Sequence, residues 1–207
     1  MGYSLSSKNI LFLSSMPESV AHHSLNLLYN YYMKYIFFPG NNFSNKEWIY
    51  TLSKKFLSED RTILNYSHWE TGERQIDFNK ELEKIKVLNI QEDCIAICKS
   101  AGCYLSYLSS KNNYLNIKKF IFIGYPYLWL ENLNFNPIEA LEYSNERLLI
   151  IQKENDPVIG YADLTKILEE KGIKADIIKY KKIGEDYNTH DYEDTKYLME
   201  EIEKYLN

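Results

Sequence analysis

Residues 93–110 have the sequence DCIAICKSAGCYLSYLSS. The run from Cys94 to Cys98 is short and wholly apolar, a pattern typical of a strand that is buried on both faces of a parallel sheet. Small residues follow this run directly, and from Ala101 onward the apolar residues recur at the spacing of an amphipathic helix. The stretch therefore predicts a buried strand, a sharp turn at Ser100 and a helix over 101–110.

A serine at a strand-to-helix turn is the geometry of a nucleophile elbow, whose usual pattern is G-x-S-x-G. The pattern here is Cys98-Lys99-Ser100-Ala101-Gly102, so a cysteine replaces the first glycine. Such a turn exposes the serine hydroxyl, and the first amides of the helix can hold an oxyanion. A serine that only caps an ordinary helix would look the same, and this alternative stays open. Lys99 is expected to point away from the site, as a surface or packing residue.

Composition indicates one soluble domain over residues 1–207, of which 45% are hydrophobic and 26% charged. The net charge is −5 with no basic stripe, which argues against binding to nucleic acid. No apolar run reaches the length of a membrane span. The three cysteines, an odd number within one short region, predict a reducing compartment, the cytoplasm, rather than a disulfide framework.

Strands and helices alternate along most of the chain. The strands are expected at 9–13, 24–30, 35–38, 62–66, 94–99, 119–124, 147–152 and 175–180. The helices are expected at 43–57, 78–87, 101–110, 137–143, 161–171 and 191–206. Close spacing favours antiparallel pairing among the first three strands, and the later alternation favours right-handed crossovers between parallel strands. The predicted fold is an α/β three-layer sandwich with a mostly parallel eight-stranded sheet and no sizeable cap domain.

Polar residues follow several of the predicted strands, at the sheet edge where folds of this kind collect their functional groups. Ser100 follows the fifth strand, Asp156 the seventh and His190 the eighth. A serine hydroxyl is a weak nucleophile that needs an adjacent base, and an aspartate can fix the tautomer of the histidine that serves as one. Taken one at a time, Ser100 could be a helix cap, Asp156 a turn residue and His190 an exposed loop residue. Their order beyond successive strands favours a Ser-His-Asp triad.

From its strand count to the order of these three residues, the whole chain resembles the α/β-hydrolase superfamily. The segment ENDPVIGYADL at 154–164 resembles the acid loop of that superfamily. The segment YNTHDYED at 187–194 resembles its histidine loop. The segment FFPGNN at 37–42 lies where the superfamily carries its H-G-x-x oxyanion loop, with Pro39 in place of the histidine.

The resemblance implies a serine hydrolase that forms an acyl-enzyme on Ser100 and cleaves a small carboxylic ester, with thioesters and amides as alternatives. The backbone amides of Ala101 and Asn41 would form the oxyanion hole. No cofactor is implied, and the partner is a small acyl substrate. A non-catalytic protein of this fold that binds a ligand or partner is the second hypothesis, favoured by the departures at Cys98 and Pro39.

The remaining histidines do not have the spacing of a metal site. His22, His23 and His68 are accompanied by no helical carboxylate-histidine motif, so they are expected to be solvated loop residues. No metal is predicted.

Four aromatic residues are candidates for substrate binding. Tyr125, Tyr127 and Trp129 follow the sixth strand, and Trp69 is expected opposite them. The connection 125–136 is too short for a helical cap, so these rings would wall an open, shallow cleft that prefers short acyl esters. Packing of the same rings on a neighbouring helix is the alternative.

Overall fold

The computed structural model describes residues 33–56, 60–181 and 189–207. In these ranges the strands are β1 (Lys34–Phe38), β2 (Arg61–Ile63), β3 (Asp93–Lys99), β4 (Asn116–Ile123), β5 (Leu148–Gln152) and β6 (Asp176–Lys179). The helices in the same ranges are α1 (Ser44–Ser53), α2 (His68–Thr71), α3 (Phe78–Leu88), α4 (Ala101–Lys111), α5 (Tyr127–Asn132), α6 (Pro137–Ser144), α7 (Tyr161–Lys171) and α8 (Thr195–Leu206).

The six described strands form one sheet in the order β2-β1-β3-β4-β5-β6, and every neighbouring pair is parallel. Their carboxyl ends therefore meet at one edge, where Phe38, Cys98 and Phe122 lie side by side. The antiparallel pairing expected of the strand at 35–38 is wrong, because parallel neighbours occupy both of its edges. The predicted strands at 9–13 and 24–30 lie outside the described residues, so the sheet has six described strands rather than the expected eight.

Alternation along the strands supplies two hydrophobic cores, one on each face of the sheet. Ile95 and Ile97 pack with α1 and α8 on one face. Cys94, Ala96 and Cys98 of β3 pack with α3, α4, α6 and α7 on the other face. Each fully buried Ile or Leu contributes about 1.5–3 kcal/mol, so the two cores hold the carboxyl edge of the sheet in place. The resulting three layers match the predicted sandwich.

Two short helices, the end of α1 at Ser53 rather than at 57, and the start of α8 differ from expectation. The sequence analysis predicts neither α2 nor α5, and α5 is a helix of six residues within the 125–136 connection. α8 begins at Thr195 rather than at 191, because the side chain of Asp194 caps it by accepting from the Tyr197 amide at 3.0 Å. None of the helices in the described ranges has the length and apolar character needed to cross a lipid bilayer.

Candidate active site

Ser100 occupies a strained turn between β3 and α4. Its backbone has φ 50° and ψ −122°, a conformation that costs a residue with a Cβ about 1–3 kcal/mol. Its amide donates to the carbonyl of Ile123 at 3.1 Å, and its carbonyl accepts from the amide of Cys103 at 2.9 Å. The side chain of Ser100 makes no capping hydrogen bond. The helix-cap interpretation is therefore wrong, and the strain presents the hydroxyl at the carboxyl edge of the sheet.

Gly102, two residues after Ser100, must be glycine because the first turn of α4 lies against the end of β1. A Cβ on Gly102 would lie 2.3 Å from the carbonyl oxygen of Phe38 and 2.6 Å from that of Pro39. Both atoms belong to the backbone and cannot rotate away. On the other side of the turn, Cys98 is fully buried between two strands, where a small side chain fits.

His190 and Asp156 form a hydrogen-bonded pair at the same edge. Nδ1 of His190 lies 2.8 Å from Oδ2 and 2.9 Å from Oδ1 of Asp156. The carboxylate also accepts from the Tyr192 hydroxyl at 2.7 Å and from the Val158 amide at 3.0 Å. Asp156 is 4% exposed, so these donors take the place of water around its charge. Nε2 of His190 is buried and has no hydrogen-bond partner within the part of the chain that the structure describes.

Gly124 makes room for the histidine ring beside the end of β4. Its φ is +62°, and a Cβ there would lie 2.9 Å from Cε1 of His190 and 2.5 Å from Cε2 of Tyr192. The preceding residue, Ile123, is the one whose carbonyl binds the amide of Ser100. The ring of His190 therefore lies next to the strand end that supports the turn.

A cavity of about 150 Å³ brings most of the predicted site residues together. It is lined by Asn41, Asn42, Asn45, Lys99, Ser100, Trp129, Val158, His190 and Asp191. Asp156 lies behind His190, bonded to the ring. A larger cavity of about 690 Å³ lies between α3 and α4, but its lining contains neither Ser100 nor His190. We assign the candidate site to the smaller cavity because the reactive side chains meet there.

Asn41 is held firmly in the loop after β1. Its side-chain oxygen accepts from the amide of Ile76 at 2.8 Å, and its side-chain nitrogen donates to the carbonyl of Arg74 at 3.0 Å. Its own carbonyl accepts from the ring of Trp69 at 2.9 Å. The backbone of Asn41 is thus fixed at the cavity wall. Ala101 opens α4, where the first amides have no partner inside the helix.

His68 also helps to hold this loop. Its Nε2 lies 2.7 Å from the carbonyl of Asn41, its ring stacks on Tyr66, and the residue is only 3% exposed. The expectation that His68 is a solvated loop histidine is wrong, because the ring is used as a buried structural donor. His22 and His23 lie outside the described residues.

Of the four aromatic residues predicted to bind substrate, Trp129 lines the cavity. Tyr125 is a core residue instead: it is fully buried, its hydroxyl donates to the carbonyl of Pro137 at 2.5 Å, and its ring stacks on Phe122. Substrate binding by Tyr125 is therefore a wrong expectation. Tyr127 and Trp69 are half-buried against the same core and lie outside the cavity lining. The cleft is polar rather than aromatic-walled.

Lys99 points toward the site, contrary to the sequence prediction. Its Nζ donates to Oδ1 of Asn45 at 2.7 Å and to the main-chain carbonyl of His190 at 3.2 Å. Burial lowers the pKa of this lysine to about 8, with nearby carboxylates opposing the shift. Strand alternation was the signal that could have found it, because Ile95, Ile97 and Lys99 share the face that α1 covers.

Tyr192 is a second residue that the sequence did not reveal. Its hydroxyl accepts from the amide of Lys153 at 3.0 Å while it donates to Asp156. Burial, and next the charge of Asp156, raise the pKa of Tyr192, so the phenol stays protonated and can donate.

The thiols beside the turn are poor nucleophiles. Burial raises the pKa of both Cys98 and Cys103, so each remains a protonated thiol near neutral pH. Within the described residues, no three His, Cys, Asp or Glu side chains lie together in a way that could hold a metal ion.

No family model and no curated protein matches the chain. Solved structures do match it in fold. A protein from Pectobacterium atrosepticum SCRI1043 described as a YdeN-like hydrolase superposes with a TM-score of 0.61 at 13% identity, over 88% of this chain and 96% of that one. The chain has the α/β-hydrolase fold. Thermogutta terrifontis esterase 2, phosphorylated by paraoxon, matches with a TM-score of 0.52 at 12% identity, over 82% of this chain and 81% of that one.

A third solved structure that matches the chain is that of an uncharacterized protein from Bacillus cereus ATCC 10987. It has a TM-score of 0.53 at 18% identity and covers 84% of this chain and 60% of its own. At these identities the similarity concerns the fold, and any activity must be argued from the site itself.

Proposed function

We propose that this α/β-hydrolase-fold protein is a serine hydrolase that cleaves a small carboxylic ester through an acyl-enzyme on Ser100. One observation carries the proposal. His190, bonded through Nδ1 to the buried Asp156, lines the same cavity as Ser100, whose strained turn leaves its hydroxyl uncommitted to helix capping. Serine hydrolysis requires a nucleophile, a base and an acid that orients the base, and these three side chains supply them.

In the proposed mechanism, Oγ of Ser100 attacks the ester carbonyl while Nε2 of His190 takes its proton. Asp156 stabilises the imidazolium and keeps Nδ1 in the donor tautomer. The oxyanion of the tetrahedral intermediate accepts hydrogen bonds from the amides of Ala101 and Asn41. Collapse breaks the ester C–O bond, and the alcohol leaves with the proton from His190. Water then repeats the sequence on the acyl-enzyme and releases the acid.

The second candidate function is ligand binding without catalysis. The observation in its favour is that Nε2 of His190 has no hydrogen-bond partner in the described ranges, Ser100 included. Catalytic hydrogen bonds are often long in ligand-free structures and shorten when substrate binds, which is why we rank hydrolysis first.

Labelling with a fluorophosphonate probe tests the proposal, because the probe reacts only with an activated serine. We expect the wild-type protein to be labelled and to hydrolyse short-chain esters, and Ser100→Ala to lose both while keeping its circular dichroism and thermal transition. Ser106→Ala is the matched control, because that hydroxyl lies on α4 and donates to the carbonyl of Cys103, away from the cavity. Equal labelling of wild type and Ser100→Ala would contradict the proposal, and an unlabelled wild type would favour the binding protein.

A further inference from the structure

The ammonium of Lys99 is a buried positive charge whose hydrogen-bond partners are neutral. The residue is 4% exposed, and Nζ donates to the amide oxygen of Asn45 and the carbonyl of His190. The ring of Trp48 lies near the same ammonium, with its centroid 5.7 Å from Nζ. Within the described residues no carboxylate lies at ion-pair distance from it. The ammonium is therefore held by neutral partners, and Asp191 and Asp156, whose charges raise its pKa, act on it only from beyond ion-pair distance.

A buried charge without an ion-pair partner opposes folding. Its presence at a cavity wall therefore indicates a functional role, such as binding a ligand in that cavity. The lowered pKa, about 8, still leaves Lys99 largely protonated at neutral pH. An ammonium has three N–H donors, and the two hydrogen bonds described above leave one donor for a ligand.

The surroundings of Lys99 favour an anion in the cavity. Two carboxylates lie near Lys99: Asp156 is hydrogen-bonded by His190 and Tyr192, and Asp191, which lines the cavity, is exposed to solvent. Three asparagines supply most of the remaining polar lining, and the cavity volume of 150 Å³ equals about five water volumes at ~30 Å³ each. A short acyl group with a charged end fits this space and this chemistry.

We propose that the substrate's acyl group ends in a carboxylate bound by Lys99, so that the enzyme cleaves hemiesters of short dicarboxylic acids. The proposal rests on the serine hydrolysis argued above. The reaction balances as hemiester plus water giving the dicarboxylate, the alcohol and one proton: the ester C–O bond breaks, and the C–O bond to water's oxygen forms. The terminal carboxylate keeps its charge throughout and only binds.

Two esters of nearly equal size and shape can distinguish an effect of the substrate's charge from an effect of its shape. Monomethyl succinate carries the terminal carboxylate, and methyl succinamate replaces it with a neutral amide. Because a hydrogen bond to a charged group is stronger than a neutral one, we expect wild-type kcat/KM to favour monomethyl succinate by about 10- to 100-fold. In Lys99→Met this ratio should fall to about one.

Lys153→Met is the matched control. Lys153 is also a buried lysine, 1% exposed, but its Nζ lies against the rings of Tyr180 and Tyr192 and is outside the cavity lining. Lys153 acts on the cavity only from a distance, where its charge lowers the pKa of Lys99, so its removal should change the ratio between the two esters far less than Lys99→Met does. A ratio near one in the wild type, or a ratio that survives Lys99→Met, overturns the inference.

Binding to Ser100→Ala, measured by calorimetry, tests the same site without turnover. The hemiester should bind more tightly than the amide, and adding Lys99→Met should remove the difference. If both esters are cleaved equally in a Ser100-dependent reaction, the anion subsite is wrong and the hydrolase proposal stands. If neither ester is cleaved but Lys99-dependent binding of the hemiester persists, the hydrolase proposal fails and the anion subsite stands.

Discussion

The hydroxyl of Tyr192 donates a 2.7 Å hydrogen bond to the carboxylate of Asp156, on the oxygen that also faces Nδ1 of His190. The same hydroxyl accepts from the amide of Lys153, at the start of the loop that carries Asp156. Tyr192 therefore ties the acid loop to the histidine loop through one buried phenol, and it sets the orientation of the carboxylate.

We expect Tyr192→Phe to lower kcat about tenfold, which corresponds to about 1.4 kcal/mol of transition-state stabilisation, with little change in KM. The free energy of unfolding should fall by about 1–3 kcal/mol, because Asp156 and the Lys153 amide both lose a buried partner. Esterase kinetics and urea unfolding measure the two effects. Tyr180→Phe is the control: its hydroxyl accepts from the Asp194 amide at 2.9 Å and does not touch Asp156. Similar kinetics in both variants would show that Tyr192 only packs.

Asp156→Asn should lower the rate of ester hydrolysis by about 10⁴, because an amide stabilises the wrong histidine tautomer. The fold should survive, since asparagine fits the same space and can still accept a hydrogen bond from the donors at this position, the Val158 amide and the Tyr192 hydroxyl. Glu154→Gln is the matched control: Glu154 lies on the same loop but forms an ion pair with Lys179. Single-turnover kinetics on one short-chain ester measure the rate of hydrolysis in both variants. Comparable losses of rate in the two would mean that Asp156 has no special role.

The central strand and helix could be predicted because their patterns are local and strong. The strand expected at 94–99 is observed as Asp93–Lys99, and the helix expected at 101–110 as Ala101–Lys111. The helices His68–Thr71 and Tyr127–Asn132 have four and six residues, too few to establish a helical period. Their existence depends on tertiary contacts that no local pattern contains.

Within the candidate site, Ser100, Asp156 and His190 could be predicted from their order along the chain. Parallel strands place the loops that follow them at one edge of the sheet, so residues in those loops can meet. The contact of Tyr192 with Asp156 spans 36 residues and has no sequence signature. The substrate-binding role predicted for Tyr125 is wrong, because a position just after a strand suggests an exposed loop residue but this side chain is buried. Its amide donates to the buried side chain of Gln152 at 2.8 Å, which fixes the backbone there and directs the ring into the core.

The two sides of the Ser100 turn should tolerate substitution unequally. Cys98→Gly should keep full esterase activity and cost roughly 1 kcal/mol, from lost packing and added backbone freedom. Gly102→Ala should abolish activity and lower the melting temperature sharply, because its Cβ meets the backbone carbonyl of Phe38 at 2.3 Å. Thermal unfolding and esterase rates measure both. Inactivation by Cys98→Gly in a protein that remains folded would assign Cys98 a role beyond packing.

Lys99 gives the stability of the protein a distinctive dependence on pH. Its pKa is lowered by burial from the ordinary value of 10.5 to about 8 in the folded protein. Below pH 8 the lysine is protonated in both the folded and the unfolded chain, so the full cost of burying the charge opposes folding. Between pH 8 and 10.5 the folded protein loses this proton first and the unfolded chain binds more protons. The contribution of Lys99 to the free energy of unfolding therefore rises with pH across this window.

We expect the free energy of unfolding of the wild type, minus that of Lys99→Met, to increase by about 3 kcal/mol between pH 7 and pH 10.5, since each pKa unit corresponds to about 1.36 kcal/mol. Urea unfolding of both proteins across this range measures the difference, in which the titration of all other groups cancels. Lys46→Met, which removes a less buried lysine of α1, is the control for the loss of a lysine charge. A flat difference for Lys99→Met would mean that the ammonium is solvated in the folded protein, which would also remove the physical basis of the proposed anion subsite.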